Sequence, residues 1–183
     1  IPLEALNLYE TTEPLACYSH TRAVPQNLLI LENKDTFYSM RRHLLDGAET
    51  ILGVPTGTLI YGAGKGILRS FQDFDLCVEP YMTDERNRIW YFGDLDYEGI
   101  GIWERLAELC CPIREIRPFC PAYEAMLKKA EQFQTLPATK EQQNRNIGDA
   151  FFGYFSEETS RKMRRILEDG AWIPQEILNI TDF

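Results

Sequence analysis

Ile89-Trp90-Tyr91-Phe92-Gly93-Asp94-Leu95-Asp96-Tyr97-Glu98-Gly99 is an apolar run that ends abruptly in two acids one residue apart. The run reads as a strand. The residues after it, Ile100, Trp103, Leu106, Ala107 and Cys110, recur on one helical face until Pro112 stops them. Strand side chains alternate faces, so Asp94 and Asp96 at the end of such a strand are expected to point the same way. Two convergent carboxylates suit a cation. Taken alone, Asp-x-Asp favours the solvated turns in which Asp commonly occurs, so the decision rests on what arrives beside it.

The strand–loop–helix pattern occurs twice before this point. Leu28-Leu29-Ile30-Leu31 is apolar at every position, as in a strand buried on both faces of a parallel sheet, and it ends at Glu32-Asn33-Lys34. Asp35 or Thr36 is expected to cap a helix carrying Phe37, Met40, Leu44 and Leu45, with Gly47 as its stop. Thr58-Leu59-Ile60-Tyr61 reads as a second strand, followed by the loop Gly62-Ala63-Gly64-Lys65-Gly66 and a helix with Ile67, Leu68, Phe71 and Phe74. Ile113 to Arg117 alternates as a further, half-exposed strand closed by Pro118. These units predict an α/β domain with a parallel sheet of about four strands, flanked by helices and joined by right-handed crossovers.

Ligands of such sheets bind at the carboxyl ends of strands, near the point where strand order reverses. Glu32, the glycine loop with Lys65, and Asp94 with Asp96 all occupy such ends. In a 2-1-3-4 order the first and third strands are neighbours, and three carboxylates converge. Left unpaired they would repel one another, so either cations fill the site or a pKa is raised. Oxygen-only ligands favour Mg²⁺ or Mn²⁺ over zinc. The glycine loop is not a Walker A motif: Leu59 stands where its first Gly is required, and Gly66 where Ser or Thr must follow the lysine. The glycines read first as a tight turn needing positive φ, and second as exposed amides that, with Lys65 at a helix start, are compatible with a phosphate.

Composition restricts the remaining options. The chain has 183 residues, 44% hydrophobic and 26% charged, enough for one domain with its own core. It shows no apolar run near the ~20 residues of a membrane span and no charged-then-apolar leader, so it is expected to be soluble and cytoplasmic. Its opening on Ile1 suggests a piece of something longer. The five cysteines form no Cys-x-x-Cys pair, and there are only two histidines, His20 and His43, which leaves little for a zinc site or a Ser/His triad. A net charge of −9 argues against a self-sufficient nucleic-acid binder unless metal, a local basic patch or another domain compensates.

The flanks carry less information. Residues 1–26, with Pro2, Pro14 and Pro25, read as an irregular lead-in or linker remnant, residues 27–120 as the core, and 121–183 as a helical extension. That extension holds a helix from Tyr123 to about Phe133, an exposed polar connector from Gln134 to Asn146, and a helix capped by Ser156 running to about Leu167, with Gly170 at its end. Arg161, Lys162, Arg164 and Arg165 form one basic cluster and Lys128 with Lys129 another, each read first as a solvated helix face and second as a phosphate-tracking patch. Trp90 and Trp103 are assigned to the core.

A lone Glu after the first strand and Asp-x-Asp-x-x-Gly after a later one resemble the Toprim domain of topoisomerases, primases and related nucleases. Glu32 in Leu31-Glu32-Asn33-Lys34, and Asp94-Leu95-Asp96-Tyr97-Glu98-Gly99, carry this resemblance. Glu-Asn-Lys followed by Thr-Phe, together with the Tyr91–Gly99 run, is most similar to the C-terminal Toprim domain of Wadjet plasmid-defence nuclease subunits, themselves similar to the topoisomerase VI A subunit. The resemblance covers about residues 27–117. It implies a Rossmann-like Toprim fold and metal-dependent cleavage of DNA, with Asp94 and Asp96 holding Mg²⁺ or Mn²⁺ and Glu32 either completing the coordination or serving as general acid/base. Lys34, Gly64 and Lys65 are the candidate phosphate contacts. DNA, other domains of the same protein and an SMC-like motor complex are the implied partners, with a homodimer left open and no membrane. No tyrosine lies in a winged-helix context, so hydrolysis fits better than covalent strand passage. Two competing readings stand beside this one: a haloacid-dehalogenase-type phosphatase using the Asp-x-Asp, although Tyr97 stands where Thr or Val is usual, and a non-enzymatic interaction or regulatory domain.

Overall fold

A computed structural model describes residues 14–140 and 143–183 of the chain; Pro2 in the lead-in and positions 141–142 of the connector lie outside the described residues. In chain order the elements are β1 (Ala16–Ser19), β2 (Asn27–Leu31), α1 (Lys34–Leu45), the short hairpin β3 (Thr50–Ile51) and β4 (Val54–Pro55), β5 (Thr58–Tyr61), α2 (Gly66–Ser70), α3 (Phe74–Cys77), β6 (Arg88–Phe92), α4 (Tyr97–Cys110), β7 (Ile116–Pro118), α5 (Cys120–Ala130) and α6 (Glu157–Glu168).

The five-stranded sheet has the order β1-β5-β2-β6-β7. Its four parallel strands therefore follow the 2-1-3-4 order on which convergence of the three acids depends, and the chain has a Rossmann-like α/β fold. β2 is central, with Leu29 opposite Leu59 of β5 on one side and Trp90 of β6 on the other. That position explains its sequence, because Leu28 to Leu31 are covered on both faces and none is more than 1% exposed. Trp103 is buried as expected and donates its indole N–H to the Ile116 carbonyl, 3.2 Å; Trp90 is only partly buried and donates to Asn27 Oδ1, 2.9 Å.

Several local expectations are corrected. Residues 16–19, read as irregular lead-in, form β1, which pairs antiparallel with β5 and adds an edge to the sheet. The cap of α1 is Asn33 rather than Asp35 or Thr36: its side chain accepts from the Asp35 amide, 2.7 Å, and Asp35 instead places its charge in the first turn. The helix predicted after the glycine loop is broken into α2, a 3-10 turn at Phe71–Asp73, and α3. Pro118 does not close the last strand from outside but is its final residue, which an edge strand bonded only to β6 tolerates. Ser156 does cap α6, accepting from Thr159 N at 3.1 Å, and Gly170 follows with φ +73°.

The polar connector is not simply solvated. Ala138 pairs with Ala171, and Leu136 packs against the core. Beyond α6 the chain returns to the sheet, where Ile173 exchanges both backbone hydrogen bonds with Leu95, 2.9 and 3.2 Å. The basic residues of α6 are paired with acids: Arg161 with Glu157, Lys162 with Glu131 and Glu158, Arg164 with Asp149, and Arg165 with Asp169. They form a neutralised helix face. Among the described residues no helix is long and apolar enough to cross a membrane.

Truncating the central strand tests this core. Ile30 is fully buried, and Ile30→Ala is expected to destabilise the fold by about 2–5 kcal/mol, read from denaturant unfolding. A change below about 0.5 kcal/mol would be incompatible with a central β2.

Candidate metal centre

The site begins where β2 and β6 part. Their last shared rung is the Glu32 amide donating to the Phe92 carbonyl, 3.0 Å, and β6 ends there. Gly93 follows for steric reasons: a Cβ at this position would run into the Glu32 carboxylate and lie 2.7 Å from the Tyr91 hydroxyl. Because the strand stops at Phe92, its face alternation does not extend to the two acids, and they take different hydrogen-bond partners. Asp94 Oδ1 accepts from the Gln175 amide, 2.7 Å. Asp96, 7% exposed, is the N-cap of α4. Its Oδ1 accepts from Gly99 N, 2.6 Å, and its Oδ2 accepts from the Gln143 side-chain amide. Gly99 is required because a Cβ there would collide with the Asp94 carbonyl and come within 3.2 Å of Glu32 Oε2. The two glycines of the motif thus let backbone close around the Glu32 carboxylate.

The acids influence one another through their charges rather than through mutual hydrogen bonds. Burial pushes the Glu32 carboxyl up to about 7; the Tyr91 hydroxyl, donating to Oε2 at 2.8 Å, and the Asp94 amide oppose this, while the charges of Asp96 and Glu98 add to it. Asp94 is likewise pushed up to about 7 by burial, against the Gln175 amide and with the charges of Glu32, Asp96 and Glu176. Asp94 therefore feels Glu32, and both feel Asp96, as like charges sharing one poorly solvated place must. Tyr91 and Tyr123 are fully buried and held in the neutral form by burial; Tyr123 accepts from the Gly93 amide, 3.0 Å.

Glu32, Lys34, Gly64 and Asp94 line one cleft of about 350 Å³ at the carboxyl ends of the strands, with Asn33, Asp35, Tyr61 and Ala63 completing it. Lys34 is exposed on its rim at the start of α1. Gly64 takes φ +61°, and Ala63 before it φ +51°, a left-handed backbone that a non-glycine residue adopts only under strain. Lys65 turns instead into the adjoining cleft and pairs with Glu98, 3.1 Å. The helix it precedes is only five residues long, so the loop offers a phosphate little helix dipole.

The acids match a hard divalent cation in donor type and charge, since all are carboxylates and their mutual repulsion would be relieved by one. Their present arrangement is looser than a cage. Among the described residues no group of three or more His, Cys, Asp or Glu side chains is arranged to hold a metal ion. Asp96 spends one oxygen on the helix cap and the other on Gln143.

Four residues of the site escaped sequence reading. Tyr91 lies inside the strand run, where alternation puts it on the face opposite Trp90. Tyr123 opens no motif, Gln143 lies within a polar connector, and Gln175 lies 81 positions from Asp94 with nothing local to mark it.

Sheet and site together define a Rossmann-like α/β domain with three acids gathered at the carboxyl ends of two adjacent central strands. A family model described as Wadjet protein JetD, C-terminal, matches residues 3–164, and the chain belongs to that family. No curated protein matches the chain.

The raised carboxyls give a pH dependence of defined sign. Between the ordinary carboxylate range and about 7, the folded chain holds protons that the unfolded chain has released, so this contribution to stability is complete at low pH and lost as pH rises through about 7. The unfolding free energy of the metal-free chain is expected to fall between about pH 5 and pH 8, and Asp94→Asn to flatten the fall. Denaturant melts across that range check it; a wild-type stability that climbs instead would contradict the burial of these acids.

Proposed function

We propose that this chain is the catalytic, Toprim-type domain of a Wadjet defence protein, and that it hydrolyses DNA phosphodiester bonds with Mg²⁺ or Mn²⁺. Membership of the JetD C-terminal family supports a role in Wadjet defence. The observation that carries the chemical reading is the meeting of Glu32 and Asp94 in one cleft at the open end of adjacent parallel strands, where burial pushes both carboxyls up to about 7. Perturbed carboxyls in a cleft are a recognised mark of catalytic sites.

Asp94 and Asp96 would hold the metal, with Asp96 giving up the Gln143 contact to do so, and Glu32 would join them or act beside them. Bound there, Mg²⁺ would neutralise charge on the phosphate oxygens and lower the pKa of an attacking water. Glu32 is suited to accept that water's proton, because its carboxyl is poised near neutral pH and Tyr91 fixes Oε2. Lys34 and Gly64 border the cleft from the side of α1 and the glycine loop and would meet the phosphate. Lys65 would do so only on leaving Glu98. A net charge of −9 makes DNA capture by this domain alone weak, so other domains of the protein and the remaining Wadjet subunits, an SMC-like motor among them, would deliver the duplex.

One observation favours a second reading, a non-enzymatic interaction domain: both Asp96 oxygens already have donors. Two measurements separate the readings. Titration calorimetry with Mg²⁺ or Mn²⁺ is expected to show binding that Asp94→Asn weakens; equal affinity in that variant would remove the metal site. In the full-length protein assembled with its partner subunits, Glu32→Ala and Asp96→Ala are each expected to reduce metal-dependent DNA cleavage by about a hundredfold or more. Undiminished cleavage would reject the catalytic assignment, and turnover of a small phosphomonoester would point to phosphatase chemistry instead.

A further inference from the structure

Gln175 is the one wholly buried amide side chain among the described residues, and every hydrogen-bonding part of it that bears on the site is used. Its Oε1 accepts from the Asn33 amide, 2.9 Å, its Nε2 donates to the Phe92 carbonyl, 2.7 Å, and its backbone N–H donates to Asp94 Oδ1, 2.7 Å. These partners are not scattered. Glu32 N–H to Phe92 O is the last peptide-to-peptide rung between β2 and β6, and Asn33 is the next residue on the β2 side. The Gln175 carboxamide therefore supplies the following rung itself, with its C=O facing one strand end and its NH₂ the other, as a peptide group would.

The location makes this more than a packing contact. Asn33 is bonded to Glu32, and Phe92 is two residues before Asp94, so the carboxamide spans the backbones that carry the two acids while the Gln175 amide holds one of the acids directly. A bulky apolar residue could fill the same space, but it would leave the Asn33 N–H without this partner and the spacing of the strand ends unset. The segment that delivers Gln175 is anchored independently by the Leu95–Ile173 bridge and by Asn33 Nδ2 donating to Glu176. It lies beyond residue 164, where the family match ends.

We infer that Gln175 is a positioning residue of the acidic site, fixing the strand ends that carry Glu32 and Asp94 relative to one another for a shared divalent cation. The inference rests on the metal-binding reading above. Outer partners that orient metal ligands typically change metal affinity by about 10–100-fold when removed. Gln175→Met keeps the volume and loses both side-chain bonds; Gln175→Asn keeps the amide but is one methylene too short to reach both strand ends.

Mn²⁺ affinity of the complete chain, measured calorimetrically and by the electron paramagnetic resonance signal of free Mn²⁺ well below each variant's unfolding midpoint, tests it. Binding weaker by about tenfold or more is expected for Gln175→Met, with a smaller loss for Gln175→Asn. A purely structural role would lower the unfolding midpoint and leave these affinities at the wild-type value, and that outcome overturns the inference while sparing the metal site. If Gln175→Met does not fold, Gln175→Asn decides in the same way. Absence of Mn²⁺ binding by the wild-type chain would remove the metal reading, and this inference with it.

Discussion

The register of β2 on β6 is the constraint from which the rest of the site follows. Leu31 lies opposite Phe92, so the residues that leave the sheet next, Glu32 and then Gly93 and Asp94, emerge side by side. Neither acid is brought there by attraction to the other. The apolar run Leu28–Leu31 is buried on both faces, as suits the central strand of a helix-covered parallel sheet, and it sits between β5 and β6. Hydrophobic burial thus forces like charges together and removes the water that would screen them. The cost appears as two carboxyls pushed up to about 7.

Several features around these acids can be understood as answers to that crowding. Tyr91 donates to Glu32 from within the sheet, the Gln175 amide donates to Asp94 from the C-terminal segment, and the first turn of α4 donates to Asp96 through Gly99. Each contact offsets part of a negative charge, and together they come from three separate parts of the chain. Gly93 and Gly99 contribute by what they lack, since a side chain at either would occupy the space of the Glu32 carboxylate or the Asp94 backbone. The Asp-x-Asp-x-x-Gly motif is therefore one steric unit in which the last glycine is needed by the first aspartate.

The basic residues do not follow the same logic. Local clusters on α6 could have compensated the chain's net charge of −9 at a DNA interface, yet they are matched by acids on α6 itself and on neighbouring segments. Lys34 is the lysine that reaches the cleft's rim, while Lys65 is turned aside by Glu98. A surface of paired charges projects little field.

Periodicity and residue type determined by themselves the three strand–helix units, the parallel sheet and the identity of Glu32, Asp94 and Asp96, because burial on two faces leaves an unbroken apolar run and its end is marked by the first acids. Local caps and breaks were less legible: Asn33 rather than Asp35 starts α1, and the helix after Gly66 is interrupted, since neither depends on a long-range pattern. The order of the strands, the edge strand β1 and the recruitment of Tyr123, Gln143 and Gln175 were decided only by tertiary structure. Such contacts join residues tens of positions apart through single hydrogen bonds, and a hydrogen bond to a backbone amide leaves no periodic trace in sequence. The opening run shows the division most clearly. Its letters announce two acids after a strand, but that Asp94 faces the cleft while Asp96 caps a helix is settled by where β6 stops and where α4 packs.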